Sequence, residues 1–286
     1  MDPFCKLCNA PAIKHGEATL RQKFHARYLK CAECGFISVE DPSWLAEAYT
    51  EPINRSDTGY VWRNLWCRDK VCSLIEASRL NGDGVFLDYA AGYGMFVRLM
   101  RDCGYDFRWL DPYCQNLFSR GFEAPVPLAG EFEAVTAFEV LEHLPDPLQE
   151  IKKIVALTPV FIFSTTLLPE PAPQPGNWWY YGLEHGQHVA FYTRKSLEFL
   201  ANQFGCRLTT NDTDFHVISR KEISFEAPGG EHVPRWKFWR QRPQLSAKPK
   251  RESLMMRDHD TIAKQMLENG STELNSKSCL EKKGEE

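Results

Sequence analysis

The run Val85-Phe-Leu-Asp88-Tyr-Ala90-Ala-Gly92-Tyr-Gly94 decides the fold. Val85 to Asp88 is a short apolar run tipped by a carboxylate and preceded by a Gly-Asp-Gly turn at 82–84, a pattern that suits a buried parallel strand. Small residues at 90, 92 and 94 then let backbone amides approach a ligand, and the helix expected from about residue 94 turns its positive N-terminus toward it. A dinucleotide fingerprint would read G-x-G-x-x-G, but its third glycine position is Val97, so that reading fails on spacing. Asp111 stands 23 residues beyond Asp88 at the end of the next expected strand, placed to accept hydrogen bonds from ribose hydroxyls.

Outward from this run the apolar pattern alternates. A helix is expected near 94–103, a strand at 106–111, a helix near 113–119, a strand at 134–139, a helix near 147–156 and a strand at 160–164. Such alternation predicts an α/β, Rossmann-like doubly wound sheet. A Pro- and aromatic-rich loop follows over 167–192, then a helix carrying Leu197, Leu200 and Phe204, then two runs near 206–211 and 214–219 that read as a terminal hairpin. Upstream, apolar residues at helical spacing between Ser43 and Leu80 predict lead-in helices. The expected units are a zinc-binding ribbon over 1–42, a helical lead-in over 43–82, the main domain over 83–222 and a polar, largely disordered tail over 223–286.

The 286 residues carry 34 Lys+Arg against 38 Asp+Glu, which argues against a protein that holds nucleic acid mainly by neutralising phosphates. The N-terminus has neither a basic n-region nor an apolar h-region, and no stretch approaches the roughly 18 apolar residues of a membrane span, so a cytoplasmic location is expected. Of 10 cysteines, four form the pairs Cys5-Lys-Leu-Cys8 and Cys31-Ala-Glu-Cys34, with 22 residues between. Two such knuckles can face one ion with four thiolates, a closed tetrahedral zinc site that is structural rather than catalytic. The polar composition around them gives this segment a reason to need metal for folding. His15 and His25, which lie between the pairs, are read as surface residues.

The motif at 88–94, written D-x-(G/A)-x-G-x-G, resembles that of class I S-adenosylmethionine-dependent methyltransferases, with Ala90 at the first glycine. The likeness continues at Phe138-Glu139-Val-Leu-Glu142-His143-Leu-Pro-Asp-Pro147, similar to the family's fourth-strand segment, and is closest to the branch with an N-terminal zinc-binding segment that includes sugar C-methyltransferases. It implies the seven-stranded sheet of that family and S-adenosylmethionine as cofactor. Asp88, Ala90, Gly92, Gly94, Asp111, Phe138, Glu139 and His143 would be its contacts. It also implies an acceptor that is a small molecule or glycan-linked, possibly a sugar. In that branch a tyrosine-rich segment with a histidine supplies the base. Tyr180-Tyr-Gly-Leu-Glu184-His185-Gly-Gln187-His188 matches it, with Gln187 where the sugar enzymes carry glutamate.

Methyl transfer needs an in-line nucleophile, exclusion of water, and a base when the nucleophile starts protonated. His188 is the first candidate base, with His185 and Glu184 behind it; an imidazole of pKa about 6.5 serves near neutrality without special tuning. Alternatively His188 ties the loop to the core. Glu139, Glu142 and His143 read as a strand terminus lining the cofactor pocket, or as magnesium ligands, as their likeness at E-x-x-E-H to small-RNA 2′-O-methyltransferases implies. Trp178, Trp179, Tyr180, Tyr181, Phe191 and Tyr192 either stack on substrate or anchor the loop. Resemblance suggests that Tyr49, Asp57 and Tyr60 close the cofactor site from the opposite side. Two rival functions stand beside the small-molecule enzyme: an RNA methyltransferase whose ribbon grips RNA, and a zinc-dependent scaffold that binds the cofactor without turnover.

Overall fold

A computed structural model describes residues 3–49, 57–126, 132–224 and 251–266. The chain opens with three antiparallel strands, β1 (Ala12–Leu20), β2 (Phe24–Cys31) and β3 (Ile37–Val39), followed by the short helix α1 (Leu45–Ala48) and the long α2 (Tyr60–Ala77). Then come β4 (Val85–Tyr89), α3 (Met95–Asp102), β5 (Asp106–Leu110), β6 (Val135–Phe138), α4 (Pro147–Leu157) and β7 (Val160–Ser164). The two-residue β8 (Ala190–Phe191), α5 (Arg194–Gln203), β9 (Arg207–Thr210) and β10 (Phe215–Ser219) complete the ordered core.

The main sheet has six strands in the order β5-β4-β6-β7-β10-β9. The first four are mutually parallel, and β10 runs antiparallel to both β7 and β9, as the terminal hairpin required. Adjacent residues of its strands face opposite layers. Phe86 and Ile162 pack with α2 and α3 residues such as Leu74, Val97 and Met100, while Leu87 and Phe161 pack with Ile151, Ile154, Leu197 and Leu200 from α4 and α5. Covering both faces explains why these strands read as continuous apolar runs. The helix starts are written locally. Asp146 Oδ1 accepts from Gln149 N with Pro147 at the first helical position, and Thr193 forms a capping box with Ser196.

Two expectations give way here. Residues 113–119 are not helical. Asp111 Oδ1 takes the amides of Tyr113 and Cys114 at 2.7 and 2.8 Å, and Asn116 Oδ1 takes that of Ser119 at 3.0 Å, so side chains capture the donors a helix would need. Seven strands become six among the described residues: beyond β5 only a single parallel bridge, Trp109 to Glu123, forms, in a stretch interrupted by Gly121 and Pro125.

The amino-terminal strands do not stand apart from the main domain. Their sheet has the order β1-β2-β3-β8, so its edge is supplied by the loop that follows β7, through the pairs Ile37–Phe191 and Ser38–Ala190. Tyr28, Ile37, Val39, Trp44, Tyr180 and Phe191 form a third core there. Within the expected tail, residues 225–250 and 267–286 lie outside the described residues, but 255–266 is a helix docked on α3 and the turn at Gly121. Asp258 accepts from Arg101 Nε and Nη2, both at 2.8 Å, and from Arg98 Nη1 at 2.9 Å. Arg101 is only 2% exposed. The sequence pattern shows weak helicity at 253–268 within this tail, and a buried ion-pair cluster, with Gly104 and Gly121 leaving room beneath Glu252 and Ile262, anchors it.

Candidate active site

The carboxyl ends of β4, β5 and β6 meet at the loop 89–94, where open α/β sheets place their ligands. Ala90 takes φ +56° and Gly92 φ +54°, and Glu139, at the end of β6, takes φ +54°. Left-handed backbone at two non-glycine residues beside one crevice costs roughly 1–2 kcal/mol each, and such strain persists where surroundings over-determine it. Ala90 therefore holds a left-handed conformation of the kind glycine adopts most readily.

The two motif glycines are glycine for different reasons. A Cβ on Gly94, at φ +83°, would lie 2.7 Å from Asn116 Oδ1 and closer still to Ser119 Oγ, so its absence lets the 116–119 turn close on the helix start. Among the described residues a Cβ on Gly92 would find only the Tyr60 hydroxyl at 3.7 Å, so none of them closes this face of the loop. Trp109 Nε1 donates to Gly92 O at 2.8 Å and Gly92 N donates to Asp111 Oδ2 at 2.9 Å, which holds the loop between strands. Asp111 Oδ1 accepts two main-chain amides and Oδ2 one, so Oδ2 keeps a further lone pair.

Asp88 is buried at the strand end and accepts the Thr136 hydroxyl at 2.6 Å. Burial pushes its carboxyl up to about 7, with the charge of Asp111 adding and the Thr136 hydrogen bond opposing. From α2, Tyr60 leans over this end, its phenol raised to about 12 by burial and then by Asp88. Arg63, one turn on, grips Asp57 through two parallel hydrogen bonds of 3.0 and 2.7 Å and lies within electrostatic reach of Glu139. Phe138 is half-buried between Phe96 and Phe215. The structure thus brings Asp88, Ala90, Gly92, Gly94, Asp111 and Glu139 to one end of the sheet.

A second constellation follows β6. The 3-10 turn Leu141–His143 carries Glu142 and His143 inward, and the loop after β7 brings Tyr180 and His188 against them. Tyr180 donates to Glu142 Oε1 at 2.7 Å, and its carbonyl receives His188 Nδ1 at 2.6 Å. Since a carbonyl only accepts, Nδ1 carries the hydrogen and Nε2 the lone pair. The rings of His143 and His188 are 4.8 Å apart, edge to face, and His143 Nδ1 lies 2.8 Å from the Tyr49 hydroxyl. Burial and then Glu139 push Glu142 up to about 8. Burial, followed by His188 and His185, pulls His143 well below the usual imidazole value.

His185 also adjoins His188, with ring centres 4.8 Å apart, but its Nδ1 accepts the Gln187 amide and burial lowers it to about 4. A Cβ on Gly182 would overlap the His185 ring, which is what glycine at φ +58° provides there. Glu184 is exposed and has no hydrogen bond among the described contacts. Gln187 donates from Nε2 to Ala48 O at 2.9 Å, a bond that glutamate could not make, and Trp44 Nε1 donates to Gly186 O at 2.8 Å, so α1 clamps this loop. Sequence reasoning missed Arg63 and Thr136 altogether. Arg63 shares a helix face with Tyr60 at i+3, a signal that could have found it.

The four knuckle sulfurs form one cluster, with contacts of 3.7 Å (Cys5–Cys34), 3.4 Å (Cys8–Cys31) and 3.6 Å (Cys8–Cys34). Thiolates about 2.3 Å from one tetrahedral ion stand about 3.8 Å apart, so this donor set fits zinc with little movement. The amides of Leu7 and Cys34 point at the sulfurs of Cys5 and Cys31 at 3.4 Å, and the hydrogen bond from Cys34 draws the Cys5 thiol down to about 5. Thr193, the cap of α5, donates to Cys34 O at 2.6 Å and ties the cluster to the main domain. No helix among the described residues is long and apolar enough to cross a membrane.

Comparison with known proteins places these features. A family model described as a methyltransferase domain matches residues 63–211, just over half of the chain. No curated protein matches the sequence. Similar solved structures include TnmH, at 17% identity over 58% of this chain and 57% of that one, with a TM-score of 0.42. Magnesium protoporphyrin IX methyltransferase of Synechocystis PCC 6803 with bound SAM matches at 14% identity over 62% and 90%, TM-score 0.37. An O-methyltransferase family 2 protein of Planctomyces limnophilus DSM 3776 in complex with apigenin matches at 13% over 62% and 65%, TM-score 0.42. The chain spans little more than half the length of the first of these.

Proposed function

The chain belongs to the methyltransferase-domain family and is an S-adenosylmethionine-dependent methyltransferase, and from that premise we propose that it methylates a small-molecule or glycan-linked acceptor, with His188 as the base. The observation that carries the reading is the side of Gly92, beside Asp111, that no described residue closes. The loop presents backbone without a Cβ there, and Asp111 Oδ2 retains a lone pair for a ribose hydroxyl. S-adenosylmethionine, when bound, supplies an electrophilic methyl on a sulfonium. Asp88, Ala90, Gly92 and Gly94 would line its amino-acid portion. Phe138, Glu139 and His143 border the same end of the sheet, with Tyr60 and Arg63 of α2 opposite.

The acceptor would enter on the side of the loop 167–192, where Glu142, His143 and His188 converge. His188 holds its ring by Nδ1 and keeps Nε2 unprotonated, so it can take the proton of a hydroxyl or amine as the nucleophile is aligned. His185, with its lone pair already engaged, and the exposed Glu184 are weaker bases. The knuckle cysteines Cys5, Cys8, Cys31 and Cys34 would hold a structural zinc, which has no open position for chemistry. Tyr180, Tyr181, Phe191 and Tyr192 are buried and anchor the loop, which leaves the exposed Trp179 as the ring able to stack on a sugar acceptor.

Calorimetry with S-adenosylhomocysteine tests the reading. One site per chain is expected, weakened at least tenfold in Asp111→Ala. A folded protein that gives no heat with S-adenosylhomocysteine or S-adenosylmethionine would overturn it.

A further inference from the structure

Away from the zinc knuckles and the donor crevice, two cysteines meet. Cys72 lies in the second half of α2 and Cys103 caps the C-terminal end of α3, and their thiols are hydrogen-bonded to one another across the contact between the helices. Both belong to the core layer that α2 and α3 form over one face of the main sheet. A buried thiol is ordinarily inert packing. This pair differs in charge, exposure and position.

Arg68, one turn before Cys72 on α2, acts on both sulfurs. The hydrogen bond from Cys72, and then the charge of Arg68, pull the Cys103 thiol below its ordinary value, against burial and with Asp102 and Asp69 opposing. The same hydrogen bond, followed by burial, pushes Cys72 up, so Cys72 holds the shared proton and Cys103 is the nucleophile. Other thiols are shifted the opposite way from Cys103: burial raises Cys67 and Cys206, and burial followed by Asp111 pushes Cys114 up to about 12. Cys103 keeps 7% of its surface exposed and Cys72 beside it is half-buried, so a reagent as small as hydrogen peroxide reaches the pair. Cys103 ends its helix and is followed by Gly104 at φ +87°, so its sulfur can close to the roughly 2.05 Å of a disulfide without unwinding α3.

We propose that Cys72 and Cys103 are a redox-modified pair that forms a reversible disulfide bracing α2 against α3, with a peroxide as the oxidant. The Cys103 thiolate attacks one oxygen of hydrogen peroxide and breaks the O–O bond; Cys103 becomes a sulfenic acid, and the departing hydroxide takes the thiol proton and leaves as water. The Cys72 sulfur then displaces hydroxide from Cys103. The S–S bond forms, the S–O bond breaks, and the Cys72 proton completes a second water. The two sulfurs together lose two electrons, which the peroxide gains. A dithiol restores both thiols by exchange. The bond closes a loop that contains β4 and the glycine motif, and α2 carries Tyr60 and Arg63 over the end of β4 about 18 Å further up the helix. Oxidation therefore stiffens one wall of the donor crevice from its far end, whatever the acceptor.

The full chain, zinc-loaded, reduced and freed of reductant, is treated with hydrogen peroxide; remaining thiols are alkylated and peptides mapped by mass spectrometry. A linked Cys72–Cys103 pair is expected, reversed by dithiothreitol, with zinc content unchanged. In Cys72→Ser, Cys103 should be trapped by dimedone as a sulfenic acid, whereas in Cys103→Ser the Cys72 thiol should stay reduced. Amide exchange over 60–77 should slow at least twofold in the oxidised wild type, a readout that needs no variant. A folded, zinc-loaded protein in which both thiols survive peroxide would overturn the proposal. So would sulfenic acid formed at Cys72 rather than Cys103, or a linked pair that leaves exchange over 60–77 unchanged.

Discussion

Replacing Asp88 by Asn probes the buried carboxylate on which the donor site is built. In the folded protein burial raises Asp88 to about 7 from 3.8, so between those values the native state binds a proton that the unfolded chain has already released. Stability contributed by this residue therefore falls as pH rises, by up to about 1.4 kcal/mol per unit. Between about pH 5 and about pH 8 the wild type should lose about 3 kcal/mol relative to Asp88→Asn, whose amide does not titrate. The variant keeps an oxygen for the Thr136 hydroxyl, which lies 2.6 Å from Asp88 Oδ1, and opens no new cavity, while any cost of its amide N–H groups is independent of pH and leaves the slope of the comparison unaffected. Urea unfolding of the cofactor-free proteins at several pH values measures the difference, since linear extrapolation returns each free energy. Parallel curves, or a wild-type advantage that grows with pH, would refute the argument, because either would mean that Asp88 is already ionised in the native state at low pH. The same variant should bind S-adenosylmethionine at least tenfold more weakly at about pH 8, where the wild-type carboxylate is charged.

The two motif glycines should separate by phenotype. Gly94→Ala forces a methyl onto Asn116 and Ser119 at positive φ and is expected to lower stability by about 2–4 kcal/mol, whereas Gly92→Ala, among the described residues, meets only the Tyr60 hydroxyl and should cost about 1 kcal/mol while weakening the donor; thermal melts and calorimetry read the contrast, and equal effects would refute it. Asp258→Ala strands the buried Arg101 with only Asp106 and a carbonyl, and a loss of about 3 kcal/mol is expected in urea unfolding; a change under 1 kcal/mol would show that the 255–266 helix does not dock in solution. Metal analysis should find one zinc per chain, removed by a strong chelator and by Cys8→Ser, with a drop in melting temperature; a metal-free protein of unchanged melting temperature would refute the structural role.

What could be read from the sequence was whatever is encoded locally. β4, α3 and β5 were legible because each is an apolar run or amphipathic stretch punctuated by Gly92 and Gly94, and the knuckles because their spacing repeats. The false helix at 113–119 carried Leu117 and Phe118 in a plausible pattern, and only the positions of the Asp111 and Asn116 carboxyl and amide oxygens show why it fails. Thr136 and Tyr180 act through partners far along the chain, Asp88 and Glu142, which no local signal specifies. β8 is the extreme case: two residues count as a strand because β3, more than 150 positions earlier, pairs with them. Gln187 likewise became interpretable once its amide was seen on Ala48 rather than in the crevice.

The seam between β3 and β8 couples two chemistries that the sequence keeps far apart. Ile37 is zipped to Phe191, and Cys34 is gripped by Thr193, so the peptide bearing His188 is moored to the thiolate cluster as well as to the turn after β6, where Val189 N donates to Glu142 O and the Tyr192 hydroxyl to Leu141 O. Stripping or oxidising those sulfurs should slacken the catalytic loop while the adenosyl pocket stays intact, visible as faster amide exchange at 186–192 with unchanged S-adenosylhomocysteine affinity. A zinc held by those sulfurs would thus act on the proposed base His188 through a mooring line within the fold itself.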